Sequence, residues 1–181
     1  MRPDGFWIEN LFGIAEALGA LGAGFLVSRR WYLTAGIYGV QLVAFLAHPL
    51  ARHLPLWTLW DTYLGFLAIF AAAFFVHKLQ DTKLSASRLA PAVALVAFVA
   101  VELDAMTRIF MLIVGGIYQI YPIPAGLLPG IFVAGAFQTP LEAVYSVAAA
   151  TIVGVPILIA LERSGILSWP LNWHPQRADE P

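Results

Sequence analysis

An all-α, polytopic membrane bundle of about six transmembrane helices is the fold class this sequence predicts. Three observations predict it. The chain is 60% hydrophobic with a mean hydropathy of +0.79. Only 12% of its 181 residues are charged, against about 25% in soluble proteins. Apolar stretches of spanning length follow one another along it, separated by short polar or aromatic punctuation. Length places the whole in one integral membrane domain, residues 1–163, with a polar tail at 164–181. A net charge of −1 offers nothing to a nucleic acid, and the absence of cysteine excludes disulfides, thiolate nucleophiles, iron–sulfur clusters and thiolate zinc sites.

Met1–Arg2–Pro3–Asp4–Gly5 merges into an apolar segment without a small-x-small cleavage site, so it reads as the approach to a first helix rather than a signal peptide. That first span is expected over Asn10–Ser28, closed by Arg29–Arg30. Its small residues Ala15, Gly19 and Ala23, repeated at Ala20 and Gly24, let helix backbones approach closely and mark a helix–helix contact face. The second span, Trp31–Leu50, carries interfacial Trp31 and Tyr32 at one end and His48–Pro49 with Arg52–His53 at the other. Gln41, near its mid-depth, reads as helix–helix glue. Leu54–Asp61 is an interfacial loop with Trp57 and Trp60, Thr62–His77 the third span, and Lys78–Arg88 the most polar loop of the chain.

The central stretch Glu102–Leu103–Asp104–Ala105–Met106–Thr107–Arg108 puts three ionisable groups among otherwise lipid-soluble residues. At a bilayer centre three charges cost about 9 kcal/mol, and the roughly fourteen large apolar residues between Leu89 and Ile117 return about 6. Two arrangements avoid the deficit. In a hairpin, Ser85–Leu103 and Ala105–Pro122 are separate spans and the charges meet water. In one long helix, Asp104 and Arg108 pair at i, i+4 while Glu102 points about 160° away from Asp104. Segment length favours the hairpin; the absence of Gly, Pro or Asn at the break favours the long helix.

Ile123–Pro140 holds three glycines and several prolines, and reads as a re-entrant or capping segment, with a short broken helix as the alternative. The last span is Leu141–Leu161, with Thr139 as N-cap, Pro140 at N1, Glu142 at the positive end of the dipole, and a kink at Pro156. Counted this way there are six spans, both termini lie on one side, and the positive-inside rule is tied. The expected location is the cell membrane, multi-pass.

The four histidines do not share a depth, so neither a haem nor a metal site is expected. No triad and no H-E-x-x-H pattern suggests an enzyme, and no cofactor is implied. The Glu102, Asp104, Arg108 cluster either handles protons, the default for intramembrane acids, or is a structural ion pair. Gln119, Gln138, Glu142 and Tyr145 either line one end of a substrate cavity or cap the last helix.

The second half of the chain resembles the membrane-embedded substrate-binding subunit (S component) of energy-coupling factor vitamin transporters, archaeal-type members in particular. The resemblance is carried by Glu102–Leu103–Asp104–Ala105–Met106, by Thr139–Pro140–Leu141–Glu142–Ala143–Val144–Tyr145–Ser146, and by Ile152–Val153–Gly154–Val155–Pro156 through Ala160–Leu161. It implies a vitamin-like small-molecule substrate bound near the outer face, with Gln119, Gln138, Glu142 and Tyr145 among its contacts. It also implies a transmembrane scaffold subunit docked on the Ala15/Gly19/Ala23 face and ATPase subunits behind it. The competing class is a structural or accessory subunit of a larger membrane complex, in which Glu102, Asp104 and Arg108 satisfy one another and no cavity exists.

Overall fold

The computed structural model describes residues 6–79, 85–120 and 123–165, with side chains from Gly13 onward, and the backbone of two short strands beyond them. Six α-helices are present among the described residues: α1 (Phe6–Val27), α2 (Trp31–Ala47), α3 (Trp60–Lys78), α4 (Ala86–Ile113), the single turn α5 (Ile117–Ile120) and α6 (Leu128–Arg163). A two-residue antiparallel ladder, β1 (Leu167–Ser168) with β2 (Asn172–Trp173), lies in the tail. The fold is all-α in its membrane part, and three stretches are long and apolar enough to cross a bilayer: Leu56–Lys78, Ala86–Ile113 and Ala125–Arg163. That makes this a multi-pass membrane protein.

Local chemistry ends each helix. α1 closes on Arg29, held at φ 63°, so that the chain reverses within three residues into α2. α2 stops at His48, where Pro49 cannot continue it and the His48 ring accepts the Leu50 N–H at 3.3 Å. α4 runs until Gly115–Gly116, Gly116 sitting at φ 72° where a side chain would be strained.

Two expectations are corrected here. The centre is not a hairpin, and Ala105–Pro122 is not a span of its own: Glu102–Arg108 lies inside the continuous 28-residue α4. No Gly or Pro occurs between Pro91 and Gly115 to break it; Asp104 and Arg108 meet each other and Glu16 of α1, while Glu102 is turned into the bundle. Ile123–Pro140 is not re-entrant either. After a 3₁₀ turn at Ala125–Leu127, α6 starts at Leu128 with Pro129 in its first turn and continues for 36 residues through Pro140 and Pro156. Pro140 thus sits in a helix interior instead of at N1, and Thr139 is no cap. The six expected spans become five long helices and one short turn.

The long helices alternate in direction. Val27, Val76, Leu89 and Leu158 line one cleft, which places the ends of α1, α3 and α6 beside the start of α4. At the other end Phe45 stacks on Phe132 at 6.0 Å, and Thr58, Leu112 and Ile131 come together. Glu16, early in α1, reaches Arg108, late in α4. So α1 begins at one end of the bundle and α6 finishes at the other, contrary to the expectation of termini on one side. α4 is the central post: it packs against α1, α2, α3 and α6, and contributes Val99, Leu103, Met106 and Ile113 to the buried core.

Candidate functional site

Polar groups gather where α2, α3 and α4 meet. Tyr38 of α2 is fully buried and its hydroxyl donates to the Thr62 carbonyl at 2.8 Å. One turn further, Gln41 Nε2 donates to Thr107 Oγ1 at 3.1 Å, and Thr107 in turn donates to the Leu103 carbonyl at 2.7 Å. Gln41 is therefore the interhelical glue its position suggested. Gly65 makes room for the rest, because a Cβ there would overlap Cβ and Cγ of Glu102 and crowd the Tyr38 hydroxyl.

Glu102 is 0% exposed, and among the described residues neither carboxylate oxygen has a hydrogen-bond partner. It does not join Asp104 and Arg108, which face the other side of α4. There Arg108 Nε donates to Asp104 Oδ2 at 2.9 Å and its Nη2 reaches Glu16 Oε1 at 3.3 Å. The central charges thus divide into an α1–α4 ion-pair group at the flank and a buried acid within.

Asp61 was expected in an interfacial loop; it lies in the first turn of α3 and is 4% exposed. Its Oδ1 accepts the Thr62 N–H at 2.8 Å, and among the described residues no cation pairs with it. It lies at the seam of two clefts against α6. One, of about 120 Å³, is lined by Thr58, Thr62, Ala105, Phe132 and Thr139 among others; the second, of about 430 Å³, by Trp60, Phe98, Pro140, Ala143 and Val147 among others. Both walls are mainly apolar, with Asp61 the ionisable group in each. The sequence signal was an acid one residue inside a helix start, the favourable end of the dipole, but its burial depends on α6 lying across it.

The way α6 lies there is itself built from sequence. Pro140 has no N–H for the Ala136 carbonyl four residues earlier. Trp60 Nε1 donates to that carbonyl at 3.2 Å, tying the start of α3 to α6 beside Asp61.

The four residues expected to line a substrate cavity do not converge. Gln138 donates to Glu142 at 2.8 Å on the exposed side of α6, Tyr145 is 73% exposed on the same side, and Gln119 bonds its neighbour Tyr118 near α5. Gln138, Glu142 and Tyr145 form a polar ridge at i, i+4, i+7 facing away from the bundle. Ala15 and Gly19 are buried and Ala23 half-buried, with Gly19 against Ala100 and Asp104 of α4. That small-residue face packs within the chain. Among the described residues no group of three or more His, Cys, Asp or Glu is placed to hold a metal.

Comparison with known proteins adds no relative: no family model matches the chain, and no curated protein or solved structure is significantly similar to it. What is established is a helical, multi-pass membrane protein with a buried acidic centre beside a cleft.

Proposed function

We propose that the protein is a membrane-embedded substrate-binding subunit that receives a small organic cation in the cleft at Asp61. The observation that carries this reading is a carboxylate 4% exposed and, among the described residues, without a cationic partner, at the seam of two mainly apolar clefts. Small-molecule sites combine an apolar lining with a few placed polar groups, and an unpaired buried acid favours a positively charged guest. The larger cleft falls in the usual range of about 300–1,000 Å³ for such sites. In the manner of the S components the second half resembles, energy for uptake would come from a scaffold subunit and ATPases. The vitamin-like substrate of that reading is then one bearing an ammonium or similar group.

The test is a thermal-shift panel of primary and quaternary alkylamines on the purified protein. A cation at 100 times its Kd should stabilise by about 2.7 kcal/mol, and Asp61→Asn should abolish the shift. No shift with any amine, or an equal shift in Asp61→Asn, overturns the reading.

A second reading has its own observation. α6 is the least buried of the spans, and Gln138, Glu142 and Tyr145 project from it towards lipid. Polar ridges on membrane helices are satisfied by other helices, which favours a protein partner on α6 and fits either an accessory subunit or the scaffold contact. Gln138→Leu/Glu142→Leu should then abolish co-purification of a partner subunit while leaving the isolated protein folded. Unchanged complex formation removes the α6 contact.

A further inference from the structure

The acid that the cation reading leaves unused is Glu102. It lies about 4 Å from the midpoint of α4 along the helix axis, at full burial, with both oxygens unpartnered. An ionised carboxylate in such a place costs far more than the few kcal/mol of an insertion scale, unless it is paired or neutralised. Among the described residues no cation pairs with it. From α2 it faces the Tyr38 hydroxyl, whose proton is given to the Thr62 carbonyl. From α3, Asp61, another acid, lies within electrostatic reach. Asp104 and Arg108 of α4 itself, with Glu16 of α1, are engaged together on the opposite side of the helix. Glu142 of α6 points outward, bonded to Gln138.

We propose that Glu102 is a proton-binding site at the centre of the membrane, exchanging its proton with water in the Asp61 cleft. The neutral acid removes the charge that the surroundings cannot meet. Asp61, within electrostatic reach of Glu102, lines the cleft, where Thr58, Thr62 and Thr139 offer hydroxyls and a volume of about 120 Å³ has room for several waters. On release, the proton passes from the Glu102 carboxyl oxygen to a cleft water and leaves a carboxylate; on uptake the same water returns it. Proton binding here does not require the organic-cation reading, and the two fail separately.

Infrared spectroscopy of the protein in lipid tests it. The wild type at neutral pH should show the carbonyl stretch of a protonated carboxylic acid, shifted in D₂O and missing from Glu102→Gln. Asp61→Asn should slow deuterium exchange of that band several-fold while leaving the band in place. Dicyclohexylcarbodiimide, which attacks protonated carboxyls in apolar surroundings, should modify wild type at Glu102 and not Glu102→Gln. Absence of the band, or a band that persists in Glu102→Gln, overturns the proposal. Exchange unaffected by Asp61→Asn overturns the path through the cleft. A protein that shows the band yet binds no alkylamine keeps the proton site and loses the carrier reading.

Discussion

Removing one donor, the indole N–H of Trp60, should reveal how α6 tolerates a proline in its interior. Trp60→Phe leaves the Ala136 carbonyl without a partner, at a cost of about 1–3 kcal/mol. In Pro140→Ala the backbone N–H of residue 140 satisfies that carbonyl, so Trp60→Phe should cost little in this background. Thermal unfolding of the four proteins in detergent measures the coupling, and additive losses would mean that the indole acts through packing alone. At Gly65 the constraint is steric. Gly65→Ala drives a methyl into the Glu102 side chain and should cost about 1–3 kcal/mol by overpacking, visible in the same melts.

At the scale of the element, α4 shows how a charged segment survives inside one helix. Its acids are sorted by face: Asp104 pairs with Arg108, and Glu16 of α1 completes the group. With Arg108 40% and Asp104 23% exposed, Arg108→Ala should cost about 2 kcal/mol, between the 0–1 of an open pair and the 3–5 of a buried one. Asp104→Asn/Arg108→Gln should recover part of the loss in the same melts. A double variant no better than the single removes the pairing argument. Gly19→Leu tests α1: a Cβ there already lies 2.6 Å from the Ala100 carbonyl oxygen. The variant should lose the folded bundle itself, seen by size-exclusion chromatography, instead of merely releasing a partner.

Over the whole molecule, five alternating helices change the charge balance. Among the described residues, Arg29, Arg30, Lys78, Arg88 and Arg163 flank the end where α1, α3 and α6 finish, and only Arg52 and Arg108 lie towards the other. The positive-inside rule then predicts that the more basic end is cytoplasmic and that the Asp61 cleft lies in the outer half. The chain has no cysteine, so His53→Cys, at an exposed position of the opposite end, should react with an impermeant maleimide from outside intact cells and Ser87→Cys should not. The reverse pattern would invert the orientation and turn the cleft inward. In the sequence, the all-α membrane class, the Asp104–Arg108 pair and the role of Gln41 were legible, because hydropathy, i, i+4 spacing and a lone mid-span amide are local signals. The hairpin, the re-entrant segment and the polar cavity set were misread because each turned on a distant partner. Trp60 meets the Ala136 carbonyl that Pro140 leaves free across 76 residues, Glu16 meets Arg108 across 92, and Asp61 lines clefts that α6 closes.

The length of α6 carries a last consequence. Thirty-six residues make a rod of about 54 Å, and even at a 40° lean a bilayer core of about 30 Å accommodates roughly 26 of them. About ten residues must stand clear of the hydrocarbon, and how many do so is set by acyl-chain length. Phe132 is held on Phe45 and the Trp60 tether lies one turn further along. Thicker lipid therefore pulls on α6 where it covers Asp61. Alkylamine affinity should change between nanodiscs of short- and long-chain lipid, and Trp60→Phe should widen that difference, so that the surrounding membrane acts as an adjustable wall of the site.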